Sequence, residues 1–224
     1  MKALNEGIWI LPIRERAAGV ETLNESIKWA DPLARVVAIF DDDDPELEQC
    51  RAAADPRWLR IVMPEGHSTA AKINYAVSLY PNEKFYGLLA NDIEVRAPGT
   101  LSLLAAACPD YGLSYCSDSI HDKALATHPC VGGALVKAIG YWAYPKAKHT
   151  GIDVYLTNLA YEFDGCVYVN GGKFWHKHYT HERAPFDAVY QRAKDYAAAD
   201  RAASESWLRE GQSAAQRAIR KARG

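Results

Sequence analysis

Phe85-Tyr86-Gly87-Leu88-Leu89-Ala90-Asn91-Asp92-Ile93-Glu94-Val95-Arg96-Ala97-Pro98 is a run of apolar and aromatic residues that ends in acid and is closed by a proline. Apolar runs without alternation belong to strands buried on both faces, as in a parallel sheet covered by helices. Open α/β sheets take ligands just beyond the carboxyl ends of their strands, so Asp92 and Glu94 are expected at the mouth of such a crevice. Asp92 is the pivot.

Upstream, Gly7 to Ile13 reads as a first buried strand that runs into Arg14, Glu15 and Arg16. Thr22 to Trp29 has helical spacing, and Arg35 to Phe40 is a second, β-branched strand that runs into Asp41, Asp42, Asp43 and Asp44. Asp44-Pro45-Glu46 has the form of a helix start, with Asp44 as N-cap and Pro45 in the first helical position, leading a helix to about Ala54. Leu59 to Met63 is a short strand, Pro64-Glu65-Gly66 a turn, and Ser68 to Leu79 an amphipathic helix. Lys72 and Asn74 on that helix face either the crevice or solvent. Regular alternation of strand and helix implies βαβ units, right-handed crossovers and a mainly parallel sheet. Three strand ends, at Arg14/Arg16, Asp41 to Asp44 and Asn91/Asp92/Glu94, would then open on one edge, which suits a ligand carrying both anionic and hydroxyl groups.

Downstream, Thr100 to Ala107 reads as a helix and Leu113 to Cys116 as a strand. Ser117 to His128, with Asp118, His121, Asp122 and His128, is a polar loop of the length usually given over to function. Pro129 to Gly133 leads into a helix ending near Gly140, and Ile152-Asp153 opens a helix over Val154 to Glu162. Cys166 to Val169 is a last strand, which Gly171-Gly172 is expected to break before Lys173-Phe174-Trp175-His176-Lys177-His178. From Asp187 the chain is rich in Ala, Arg and Tyr and reads as helical. Residues 1–186 are taken as one α/β domain, with 187–224 a helical tail packed on it or trailing from it.

A chain of 224 residues with 49% hydrophobic content and a net charge of −2 fits an ordinary globule and gives no argument for a nucleic-acid or membrane partner. The five cysteines lack CxxC spacing and read as buried thiols of a reducing compartment. There is no charged-then-apolar leader, and no apolar run nears the roughly 20 residues of a membrane span, so a cytoplasmic protein is expected. GxxxxGK[ST], GxGxxG, GxSxG and HExxH are all absent, which removes the P-loop, dinucleotide, hydrolase-elbow and zincin readings. From Trp207 to Gly224, five basic residues stand against Glu210, a local charge of +4 that reads as a solvated helix or a phosphate-tracking one.

Val36 to Asp44, Leu88 to Gly99, Thr127 to Leu159 and Phe174 to Asp187 resemble, in that order, four signature segments of GT-A-fold (Rossmann-like) glycosyltransferases, particularly the small single-domain versions common in phages and bacteria. The resemblance implies a nucleoside diphosphate sugar as donor. It places Asp41 and Asp42 at the nucleotide, with Arg14 or Arg16 beside them. Asn91-Asp92 stands where the family closes its Asp-x-Asp motif, so Asp92 would bind a divalent cation, Mn²⁺ or Mg²⁺, and Asn91 departs from the usual acid. Asp153 matches the catalytic base, and His176-x-His178 a late segment that supplies a metal ligand. For phage members the host cytoplasm is implied, and a modified DNA base stays open as acceptor.

The chemistry fits these residue types, and each also has a plain reading. A departing diphosphate needs positive charge against it, which a carboxylate-held cation supplies; Asp92 also reads as a loop cap, and Glu94 as a solvated acid. His176 and His178, two apart, would share one face of a strand, or stack half-exposed among Trp175 and Tyr179. Asp153 suits a general base, and Gly-Ile-Asp before a helix equally suits an N-cap. Two other functions remain: a non-catalytic nucleotide- or DNA-binding module, favoured by Asn91, and a sugar nucleotidyltransferase, which needs a Gly-rich basic loop where this chain has Arg14-Glu15-Arg16.

Overall fold

The computed structural model describes residues 1–64 and 67–224, so the expected turn at Pro64-Glu65-Gly66 reaches outside the described residues. Within them, β1 (Ile8–Pro12), β2 (Val36–Asp41), β3 (Leu59–Met63), β4 (Phe85–Leu88), β5 (Ile93–Val95), β6 (Leu113–Ser117), β7 (Cys130–Gly132) and β8 (Cys166–His176) form one sheet in the order β3-β2-β1-β4-β7-β6-β8-β5. The helices are α1 (Ala17–Ala30), α2 (Leu47–Ala53), α3 (Thr69–Leu79), α4 (Thr100–Ala107), α5 (Gly133–Ile139), α6 (Ile152–Tyr161), α7 (Ala188–Asp195), α8 (Ala197–Ser206) and α9 (Gln212–Arg223).

β3, β2, β1 and β4 are parallel neighbours, as the alternation of strand and helix predicts. Beyond β4 the sheet is mixed: β7 runs antiparallel to β4 and β6, while β6 and β8 are parallel. Both faces of β1, β2 and β4 are buried, which is why these strands read as continuous apolar runs, while the edge strand β3 is largely exposed. Along β1, Ile8 and Ile10 join one core layer and Trp9 and Leu11 the other. Gly87 on β4 lies under Trp9, where a Cβ would come within 2.1 Å of the indole ring.

Several expectations are corrected. The stretch from Phe85 is not one strand: β4 stops at Leu88, and Ile93–Val95 returns as a separate strand antiparallel to β8. Glu94 is thereby carried off the crevice mouth and pairs with Arg96 at 2.8 Å. Gly171-Gly172 does not break β8, whose first half pairs with β6 and whose second half pairs with β5; a register shift between Tyr115 and Ser117 takes up the bend. Asp44 is not the N-cap of α2, which starts at Leu47; its carboxylate instead accepts the N–H groups of Glu46 and Glu15, both at 2.8 Å, making a turn that braces the β1 loop.

The C-terminal helices pack back on the sheet layer. Trp207 is buried with its ring 5.2 Å from Tyr144 and 5.4 Å from Tyr155, and Ala215 and Ile219 bury one side of α9 while Arg217, Arg220 and Lys221 remain exposed. Among the described residues no helix is long and apolar enough to cross a membrane.

Candidate active site

The carboxyl ends of β1 and β4 open on one edge, as expected, and a cavity of about 630 Å³ lies there. Arg14, Arg16, Lys72, Asn91 and Asp92 reach it from the sheet and α3, while Asp153, His176 and His178 reach it from the second half of the chain. Segments far apart in sequence meet at one place, and the parallel strand order puts them there.

The loop after β1 is strained and held. Glu15 and Arg16 adopt left-handed backbone (φ 55° and 59°), a conformation that costs a non-glycine residue about 1–3 kcal/mol and persists where surroundings enforce it. Asp44 accepts the Glu15 N–H at 2.8 Å, Glu46 accepts the Ala17 N–H at 2.9 Å, and the Asn91 amide donates to the Glu15 carbonyl at 3.0 Å. The last contact accounts for Asn91 in place of the usual acid: the position must donate to a backbone carbonyl, and an ionised carboxylate has no proton to give. Asn91, expected as a substrate contact, lines the cavity and also holds the loop that presents Arg16.

Arg16 is the centre of the polar network. Its Nη1 is 3.0 Å from Asp92 Oδ2, its Nε and Nη2 grip Asp187 at 2.6 and 2.8 Å, and its guanidinium lies 4.1 Å over the Tyr190 ring. Arg14 turns to Asp43 and, at 3.2 Å, to Asp41. Asp41 is buried against Lys72 Nζ at 2.6 Å, and its Oδ1 has no hydrogen-bond partner among the described residues. Burial lowers the Lys72 pKa against the pull of Asp41. Neither Asp41 nor the exposed Asp42 is among the residues lining the cavity; Lys72 and Arg14 stand between Asp41 and the space.

Asp92 keeps Oδ1 toward His176 Nε2, 3.8 Å away. The other nitrogen of that ring, Nδ1, is 3.4 Å from Asp118 Oδ2, the carboxylate–histidine arrangement that orients imidazole ligands. Asp118 is buried and also takes the His121 ring at 3.0 Å, Thr127 Oγ1 at 3.1 Å and the N–H groups of Ile120 and His121 at 2.9 and 2.6 Å. Burial opposes its charge, yet these hydrogen bonds hold its pKa below the ordinary carboxylate range. His178 Nδ1 is 2.7 Å from Thr180 Oγ1, and burial together with His176 lowers its pKa. His128, wedged edge-on at 5.1 Å from the His176 ring, is pushed down to about 3 by burial and is neutral; neither of its nitrogens has a protein partner among the described residues.

Asp153 sits in the first turn of α6 behind Gly151, which takes the N-cap position with φ 83°. The cap reading of Asp153 is thereby set aside. Its Oδ1 accepts the Val154 N–H at 2.9 Å, and burial on the cavity wall pushes its pKa up to about 6.

Among the described residues no group of three or more His, Cys, Asp or Glu side chains is gathered to hold a metal. A hard cation completed by a ligand's phosphates needs only one or two protein donors, and Asp92 Oδ1 with His176 Nε2 fits that smaller demand.

The polar loop from Ser117 stands out in the sequence by its length and its histidines, but nothing in its spacing says that Asp118 orients two imidazoles. Asp187, Tyr190 and Asp200 carry no local signal, because each acquires its role from a residue far along the chain.

No protein-family model matches the sequence, and no curated protein matches it. Solved structures do. TarS 1–349 of S. aureus in complex with UDP-GlcNAc matches at 14% identity over 84% of this chain and 62% of that one, with a TM-score of 0.58. GalNAc-T7 with UDP, GalNAc and Mn²⁺ matches at 11% identity, with a TM-score of 0.60 over 76% of this chain and 43% of that one. A candidate nucleotide-diphospho-sugar transferase of Desulfovibrio desulfuricans G20 matches at 10% identity, 88% and 98% coverage and a TM-score of 0.50. The chain thus spans about 60% of the TarS 1–349 structures. At these identities the likeness shows the fold, which is of the GT-A glycosyltransferase type.

Proposed function

We propose that this GT-A-type chain is a glycosyltransferase that moves a sugar from a nucleoside diphosphate sugar, with a UDP-sugar the first to test, to an acceptor hydroxyl. The observation that carries the reading is Asp153: a carboxyl with its pKa near 6 lines the same cavity as Arg16, Asp92 and His176. A base with a pKa close to working pH is ionised there and still takes a proton readily.

In this reading Asp153 accepts the proton of the acceptor hydroxyl as that oxygen bonds to the anomeric carbon and the bond to the diphosphate oxygen breaks. Arg16, with Arg14 and Lys72 behind it, supplies positive charge to the departing diphosphate. A divalent cation, Mn²⁺ or Mg²⁺, would be held by Asp92 and His176, with His178 beside them, and would add Lewis-acid stabilisation of the same leaving group. Asp118 keeps the His176 ring turned for that contact. Asp41, behind Lys72 and Arg14 and outside the cavity, would act on the nucleotide only by holding those two side chains; Asp42, being exposed, would meet only the outer part of the donor.

Thermal unfolding against UDP, UDP-GlcNAc and UDP-glucose, with and without Mn²⁺, tests the donor and the cation together. A ligand at one hundred times its Kd adds about 2.7 kcal/mol. A Mn²⁺-dependent rise that disappears in Asp92→Asn supports the assignment. A nucleotide sugar that binds but is neither transferred nor hydrolysed with Mn²⁺ present would make the chain a non-catalytic nucleotide-binding module.

A further inference from the structure

Asp200 on α8 is buried, and its carboxylate accepts the backbone N–H groups of Lys148 at 2.7 Å, His149 at 3.2 Å and Thr150 at 2.9 Å. Consecutive N–H groups turned toward one point form a concavity that binds an anion. The segment from Tyr141 to Gly151 contains Lys146 and Lys148 and no acidic residue, so the anion is supplied from 50 to 52 positions downstream. Directly after this clamp come Gly151 and then Ile152 and Asp153 in the first turn of α6.

The same loop is held from its other side by α3: the Lys148 carbonyl accepts the Ala70 N–H at 3.1 Å, and His149 Nδ1 lies 2.8 Å from Thr69 Oγ1. Further along α8, Ser206 Oγ is 2.7 Å from Lys146 Nζ and 3.0 Å from the Tyr144 hydroxyl. Trp207 then packs edge-on against Tyr144 of the loop and tilted against Tyr155 of α6. The anchors of the 144–150 stretch that leads into Asp153 are thus on α3 and the C-terminal helices, while Trp142 before it donates its indole N–H to the Tyr86 carbonyl of β4 at 3.1 Å.

We propose that Asp200 is a positioning residue for Asp153: by clamping the 148–150 backbone, the C-terminal helices fix the angle at which α6 presents its carboxylate to the cavity. The inference rests on Asp153 being the base of the proposed transfer. A carboxyl group accepts these N–H groups at both of its oxygens, whereas an amide in its place keeps one acceptor and turns N–H₂ toward the remaining donor. The helices from Asp187 onward are then a working wall of the site, with Asp187 on Arg16 and Asp200 on the base loop.

The test uses the full chain with Asp200→Asn and, as a second variant of the same clamp that keeps the carboxyl group, Asp200→Glu. Backbone hydrogen exchange is followed over residues 144–155, UDP affinity is measured by calorimetry, and Mn²⁺-dependent UDP release from UDP-GlcNAc gives kcat and KM. In Asp200→Asn, exchange at 148–150 should rise by about tenfold or more, as expected for losing a hydrogen bond to a charged group. The Kd for UDP should stay within about twofold, while kcat falls by about 10²-fold at unchanged KM, the scale of a misplaced catalytic group. Unchanged exchange over 148–155, or kcat and UDP affinity falling together, overturns the proposal. If Asp200→Asn does not fold, Asp200→Glu decides, since its added methylene displaces the accepting oxygens: faster exchange at 148–150 with UDP affinity intact supports the clamp, and unchanged exchange refutes it. A wild-type chain that turns over no UDP-sugar would sink the transferase reading, while the exchange data would still report whether Asp200 holds the loop.

Discussion

Asp153→Asn should abolish transfer and make the protein more stable at neutral pH. Burial raises the Asp153 carboxyl from its ordinary 3.8 to about 6, so the folded state disfavours its ionised form. Each pH unit of difference between folded and unfolded pKa is worth about 1.4 kcal/mol, which makes about 3 kcal/mol the upper limit. The carboxyl is only half-buried on the cavity wall and keeps the Val154 N–H, so about 1–2 kcal/mol is expected after allowing for solvent screening. The sign follows from the raised pKa. Well below pH 4 the group is neutral in both states and the variant gains nothing; as pH rises from 4 to 6 the unfolded wild type gives up its proton while the folded one keeps it, so the wild type loses stability relative to the variant; above 6 both states are ionised and the deficit is constant. Urea unfolding of both proteins at pH 4, 5, 6 and 8 reads this directly, and kcat/KM of the wild type should climb through the same window. A stability difference that stays flat from pH 4 to 8 would refute burial of the carboxyl, and with it the tuned base.

Three other perturbations address the frame of the site. Gly87→Ala puts a methyl group 2.1 Å from the Trp9 ring between two core strands and should destabilise by about 3 kcal/mol, the upper end of overpacking costs, read as a lowered urea midpoint. Lys72→Met leaves buried Asp41 with only Arg14 at 3.2 Å; breaking a buried pair from one side should cost about 3 kcal/mol, and adding Asp41→Leu should recover part of it in the same denaturation assay. Asp118→Asn weakens the hold on the His176 and His121 rings, so Mn²⁺ affinity in the presence of UDP should fall about 10–100-fold, measured by Mn²⁺ titration; an unchanged affinity would remove His176 from the cation site.

Much of the frame was legible from local pattern. The apolar runs at Ile8, Val36, Leu59 and Phe85 became parallel neighbours, and the helix expected over Ser68 to Leu79 forms as α3, with Ser68 accepting the Ala71 N–H at 3.2 Å. Both results depend on residues within a few positions of one another. The errors fell where a distant segment overrode local preference. Gly171-Gly172 reads as a break, but β8 finds β6 on one half and β5 on the other and continues through it. Asp44-Pro45 reads as a helix start, but the Glu15 N–H claims the same carboxylate and α2 begins later.

For the site, the sequence by itself determined which strand ends carry charge, because strand-end position is a property of contiguous residues; the roles expected of Asp92, Asp153 and His176 rest on the resemblance to GT-A glycosyltransferases, and the fold brings the three to one cavity. Only the tertiary structure decided what each polar group does. Asn91 became a donor to the Glu15 carbonyl, 76 positions away, and Arg16 was divided between Asp92 and Asp187, 76 and 171 positions away. The role of a polar side chain is set by the partners that satisfy its donors and acceptors, and those partners come together only when the sheet closes and the C-terminal helices fold back over its edge.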